Sequence, residues 1–309
     1  MDSQAVPKSY DGLSFEQLRV DTYPNNAPGA TPVMILTINR PEKHNAFTVE
    51  IEDAMIKALQ LFDLDDRVKA VVVTGAGRTF CAGADLDIGL ERVPGEGSKD
   101  HRDGGGRLAL AVHACRKPVI AAIQGSAVGI GMTMTLPMSI RVVSKTAKVG
   151  FVFARRGVVM EACSSFFLPR LIGYSRALYL TTTGSVVQAD APVIRDLFAE
   201  ILDSPSEVLP RALEIATDIA QNTSTISTYL MREMMWRNPG SAESTHLLDS
   251  EIMFQLYDKK DKHEGIASFL EKRQAAFTGS VHLDMPQCLP WWTPVNLDKP
   301  RKVLQSSKL

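Results

Sequence analysis

The chain has 309 residues, 45% of them hydrophobic and 22% charged, with a formal net charge of −1. That composition belongs to a globular protein with a sizeable core, in one large domain or two smaller ones. So even a charge balance gives no footing for nucleic acid or an anionic membrane, and no apolar run reaches the ~18 residues of a membrane-spanning helix.

The opening "MDSQAVPKSYDG" has neither the basic start nor the apolar stretch of a secretory signal. Two strand-like runs follow, "LSFEQLRVDTY" and "PVMILTINR", separated by the turn-rich "PNNAPGAT". Ile51, Ala54, Met55, Ala58, Leu59 and Phe62 then recur at helical spacing, with Glu50, Glu52 and Asp53 at the dipole's positive end. "VKAVVVTG" predicts a buried strand, and the polar, glycine-rich stretch from Gly89 to Gly106 reads as a mobile loop. "KPVIAAIQG" is another buried strand, "SAVGIGMTMTL" a turn entering a helix, and "SIRVVS" and "AKVGFVF" two more strands. Beyond Glu161 the periodicity is helical, over 163–182, 206–222, 224–236, 241–258 and 261–276. This order predicts an α/β core with a helical appendage, followed by an irregular, proline-rich tail holding Trp291 and Trp292.

Several chemistries are excluded by their missing residues. "GAGRTF" lacks the third glycine of a dinucleotide fingerprint, and no glycine-rich loop ends in Lys-Ser or Lys-Thr. The six histidines form no HxH or HxxxH pair, so no metal site is expected. The four cysteines make no CxxC pair and no disulfide framework, and Cys163 reads as a small core residue.

Two junctions of small residues remain, "TFCAGADL" (79–86) and "GSAVGIG" (125–131). Facing one another, they would present two backbone donors to an oxyanion; tight packing of turns is the plainer alternative. Glu161 lies in the apolar run "VMEACSSFFLP", where a carboxylate is costly unless paired or used. On the residues alone, catalysis and a first-turn glutamate suiting the dipole of a helix from Ala162 are equal readings.

"RPEKHNAF", "VVVTGAGRTFCAGADL", "KPVIAAIQGSAVGIGMTM" and "EGIASFLEKR" resemble, in order and spacing, the crotonase or enoyl-CoA hydratase/isomerase superfamily over about residues 14 to 277. The resemblance implies a ClpP-like spiral of ββα turns over 14–205 behind a tail of 1–13. It also implies a helical oligomerisation region over 206–277, an irregular tail over 278–309, and a homotrimer or hexamer. The ligand it implies is an acyl-CoA thioester, with no further cofactor. Position by position, the oxyanion donors it points to are the amides of Ala82 and Ile130, bordered by Gly83, Ala84, Asp85, Leu86 and Gly129. Lys43 falls where the CoA diphosphate or ribose is met, and Phe269 and Lys272 where its adenine and 3′-phosphate lie, in the same or a neighbouring subunit.

Hydratases of the superfamily carry two glutamates, at positions held here by Thr133 and Phe153. "FARRGVVMEACSSFFLP" instead resembles peroxisomal Δ3,Δ2-enoyl-CoA isomerases, with Glu161 at their single glutamate. The expectation is therefore isomerisation of a 3-enoyl-CoA through a dienolate. A hydratase or dehydratase on a specialised, secondary-metabolite acyl-CoA and a non-catalytic acyl-CoA-binding scaffold are the alternatives. The final Ser307-Lys308-Leu309 matches a receptor-read peroxisomal address, which adds an import receptor as a partner and fatty-acid metabolism as a setting.

Overall fold

In the computed structural model the described residues are 6–298, without 11, 12, 14, 26, 28 and 89–94. The C-terminal tripeptide and the first part of the expected 89–106 loop lie outside them. The first half of the chain runs β1 (Leu18–Tyr23), β2 (Val33–Ile38), α1 (Val49–Leu64), β3 (Ala70–Gly75), β4 (Thr79–Cys81) and α2 (Gly104–Ala114). It continues with β5 (Val119–Ile123), β6 (Ser126–Val128), α3 (Ile130–Thr133), β7 (Ile140–Ser144) and β8 (Lys148–Gly150). After a 3-10 turn at Val152–Arg156 come α4 (Ser164–Ile172), α5 (Tyr174–Thr183), β9 (Val186–Gln188) and β10 (Glu200–Leu202). The chain then turns helical: α6 (Pro205–Asn222), α7 (Thr225–Trp236), α8 (Ala242–Leu256) and α9 (Lys260–Glu271).

Six strands form one sheet in the order β1-β2-β3-β5-β7-β10, and β4-β6-β8-β9 form a second. Pairing is parallel except for β1 with β2 and β8 with β9. Parallel strands are covered on both faces, hence the unbroken apolar runs. Met34, Leu36, Val71, Val73, Ala121 and Ile123 enter the main core with Met55, Leu59 and Phe62 of α1. Their alternating neighbours Ile35, Val72, Ile120 and Ala122 pack against Val208, Ala212 and Ala216 of α6. So α6, the first helix of the expected C-terminal region, covers the main sheet.

Three expectations are corrected here. Helix α2 begins inside the stretch read as loop, because Asp103 caps it and accepts a hydrogen bond from Gly106 N at 2.6 Å. The helix expected over 163–182 is two, broken at Gly173, whose φ is +78°. Helix α9 stops at Glu271, with Lys272 left-handed at φ +55°. Described residues 278–298 hold no helix or strand, as expected of the tail. They are nonetheless docked: Trp291 donates its indole N–H to the Arg237 carbonyl at 3.0 Å and packs with Met285, Cys288 and Leu289 on Ile226, Leu230 and Ile252.

Candidate active site

Strands β4 and β6 are parallel neighbours, with Cys81 opposite Ala127, so their C-terminal ends open side by side. Gly83 has φ +107°, and a Cβ there would stand 3.2 Å from the Val128 carbonyl. The two small-residue junctions therefore touch, as a shared donor site requires.

The amides left without an acceptor differ from the expected pair. The Ala82 amide is spent inside the protein, donating to the His44 carbonyl at 3.2 Å, so Ala82 cannot serve the oxyanion. Ala84 can. Phe47 N donates to Gly83 O at 2.8 Å and Asp85 N to Phe47 O at 3.0 Å, a parallel bridge that turns the intervening Ala84 amide to the opposite side. Among the described residues that amide has no acceptor. Neither does the amide of Ile130, the first residue of α3, whereas Met132 N and Thr133 N both reach Gly129 O.

Glu161 lies before α4, outside any helix, so the first-turn dipole reading fails. Its side chain reaches α3 and the start of α2. Oε1 accepts a hydrogen bond from the Thr133 hydroxyl at 2.6 Å, while Oε2 is buried with no partner among the described residues. A Cβ on Gly105 would stand 1.5 Å from Oε2 and 2.8 Å from Ile130 Cδ1. The free carboxylate oxygen and the residue carrying the second donor thus converge on one point. Gly105 leaves the space that admits them.

Burial pushes the Glu161 carboxyl up to about 7, and the Asp103 charge adds to the rise, against the Thr133 hydrogen bond, which lowers it. The Thr133 hydroxyl is also 3.3 Å from Gly129 O, so it can donate to the carboxylate or turn to that carbonyl when Glu161 is protonated. Both charge states are accommodated. If the ionised form is the base, kcat/KM rises to a plateau with a limb near pH 7. Thr133→Val, which deletes the hydroxyl, moves that limb upward; a pH profile of the two proteins reads the shift.

The other expected residues divide. Asp85 is buried and ion-paired with Arg40 at 2.6 Å, which holds its carboxyl below the usual range, so it braces the loop. Lys43 is paired with Asp87 at 3.0 Å on the surface of the same loop. Leu86, Phe269 and Lys272 are exposed. Phe153 lies in the 3-10 turn and packs on the main core. Burial raises the Cys163 thiol, in keeping with a packing role. Sequence reasoning missed Gly105 and Asp103; the only signal was the three glycines of "DGGGR" at a helix start. Among the described residues, a cavity of about 530 Å³ beside Thr37, Thr74, Gln124 and Leu209 is lined by no carboxylate, histidine or cysteine.

The model of a family described as enoyl-CoA hydratase/isomerase matches residues 29–280. The chain belongs to the enoyl-CoA hydratase/isomerase family. Among relatives of this crotonase superfamily, "Enoyl-CoA hydratase AFT3-1" of Alternaria alternata is 48% identical over 88% of this chain and 90% of its own length. "Enoyl-CoA hydratase ACTT3" of the same organism is 46% identical over 89% and 90%. A solved structure of a probable enoyl-CoA hydratase/isomerase from Mycobacterium abscessus superposes with a TM-score of 0.76 at 30% identity, covering 85% of this chain and 99% of the other. The α/β crotonase fold with a helical C-terminal region is thus established.

Proposed function

We propose that this enzyme adds water to, or removes it from, the double bond of an enoyl-CoA thioester, with Glu161 as its single acid/base. The observation that carries the reading is near-half identity, over almost the whole chain, to two proteins named enoyl-CoA hydratase. This reverses the preference for isomerisation drawn from the empty positions Thr133 and Phe153. The geometry supplies a route that needs no second carboxylate.

The thioester oxygen accepts the Ala84 and Ile130 amides. Ionised Glu161 takes a proton from water through Oε2 as the water oxygen bonds to C3. The π electrons of C2=C3 move to the thioester oxygen as an enolate. Glu161 then returns its proton to C2, on the same face, and the carbonyl re-forms. Each donor aimed at the developing charge contributes roughly 3–4 kcal/mol to the transition state by analogy with other oxyanion holes.

The lone carboxylate also favours a second reading, the Δ3,Δ2 shift, in which Glu161 moves a proton from C2 to C4 and no water reacts. A non-catalytic scaffold has no use for a buried carboxyl held near neutrality beside two free amides. The reading extends to a peroxisomal setting, supported by Ser307-Lys308-Leu309. Exposed Phe254, Phe269 and Leu270 support association into a homotrimer or hexamer.

Purified protein given a 2-enoyl-CoA and, separately, a 3-enoyl-CoA in water distinguishes these readings. Loss of conjugation in the first supports hydration. A gain of conjugation in the second with no reaction in the first replaces it with isomerisation, and no turnover of either contradicts both.

A further inference from the structure

Glu161 is followed by two left-handed residues that are not glycine, Ala162 at φ +55° and Cys163 at φ +53°. Such backbone is unfavourable for residues with a Cβ and persists only where its surroundings over-determine it. Here the surroundings can be named. The Glu161 carbonyl accepts both the amide of Ser164, at 3.0 Å, and its hydroxyl. One residue on, the Ala162 amide donates to Asp103 Oδ1 at 3.2 Å. The same oxygen takes the Gly106 amide at 2.6 Å and so caps α2. One carboxylate oxygen thereby joins the segment carrying Glu161 to the first turn of α2, where Gly105 leaves space for the Glu161 side chain.

We infer that Asp103 is a positioning residue for Glu161: by accepting from Ala162 and Gly106 together, it fixes the carboxylate's approach to the substrate α-carbon. The inference rests on Glu161 being the acid/base of the proposed reaction. Asp103 touches no reacting atom. Its part is to keep a strained segment in register with a helix end, because a displacement of about 1 Å at a reacting group can lower a rate by ~10²-fold.

The test separates capping from clamping. Asparagine and serine both cap helices about as well as aspartate. Asparagine keeps an oxygen where Oδ1 stands, whereas the serine hydroxyl is one atom shorter and cannot hold both amides. Asp103→Ser is expected to fold, to lower kcat by about tenfold or more, and to change KM by less than about threefold, the signature of lost transition-state positioning. Asp103→Asn is expected to keep kcat within about threefold of the parent. Thermal midpoints of both variants, and Glu161→Gln assayed alongside, complete the set. A fully active Asp103→Ser beside an inactive Glu161→Gln overturns the inference and leaves the acid/base intact. An Asp103→Asn as impaired as Asp103→Ser also overturns it, since acceptance of the hydrogen bonds would then not be what matters. An active Glu161→Gln removes the reading underneath.

Discussion

Glu161→Gln is expected to lower kcat by ~10²–10⁴-fold, the usual span for loss of a general acid/base, with little change in KM. The glutamine keeps the shape and the oxygen that accepts from Thr133, and removes only the capacity to take and return a proton. The same change alters stability in a pH-dependent way. The wild-type carboxyl titrates near 7 when folded, against an ordinary value of 4.5. Below about pH 4.5 it is protonated in both states and favours neither. Between about 4.5 and 7 the unfolded chain releases the proton while the folded chain keeps it, so stability falls as pH rises, by about 3 kcal/mol in all. Glutamine escapes that loss. Its NH2 group inherits the unpaired place of Oε2, an unmade hydrogen bond that offsets about 1–3 kcal/mol. The thermal midpoint of the variant relative to the parent should therefore climb between pH 5 and pH 8, as activity disappears. A midpoint difference that stays flat across that range would contradict a buried, elevated carboxyl.

Gly105→Ala is expected to lower kcat by ~10–100-fold while leaving the protein folded and its midpoint unchanged or slightly higher. The new methyl would stand 1.5 Å from Glu161 Oε2 and 2.8 Å from Ile130 Cδ1. Both atoms are the free ends of flexible side chains, so they yield while the backbone stays. Alanine also suits a helix better than glycine, by up to about 1 kcal/mol. The carboxylate is thus pushed off its position at no cost to the fold. Paired measurement of kcat and thermal midpoint checks this; a variant that loses its activity only by unfolding refutes it.

What is legible in the sequence follows the physics of each signal. Strands buried on both faces appear as unbroken runs such as "VKAVVVTG", and long amphipathic helices such as α6 and α7 appear as periodicity. Helix α2 is hidden because its first turn is Gly104-Gly105-Gly106, three residues of poor helix propensity that are there for the space they leave. Glu161 and Ile130 are legible as an odd carboxylate and a glycine-rich turn. Ala82 stands in for Ala84 in the sequence reading because the resemblance was carried over along a small-residue loop whose sequence does not tell which of its amides is already paired. The Phe47 bridge decides that, and it joins residues 37 positions apart, counting from Phe47 to Ala84. The Asp103 link to Ala162 is likewise a long-range contact with no local trace.

Deuterium uptake at C2 when a 2-enoyl-CoA is turned over in D2O, followed by NMR, is the most direct check, since Glu161 must protonate the stabilised enolate at C2 whether the product is hydrated or isomerised. Deuterium is expected at C2 with the wild-type enzyme and none above background with Glu161→Gln. Wild-type enzyme that leaves C2 fully protiated, or a glutamine variant that takes up deuterium as fast as its parent, would contradict Glu161 as the acid/base.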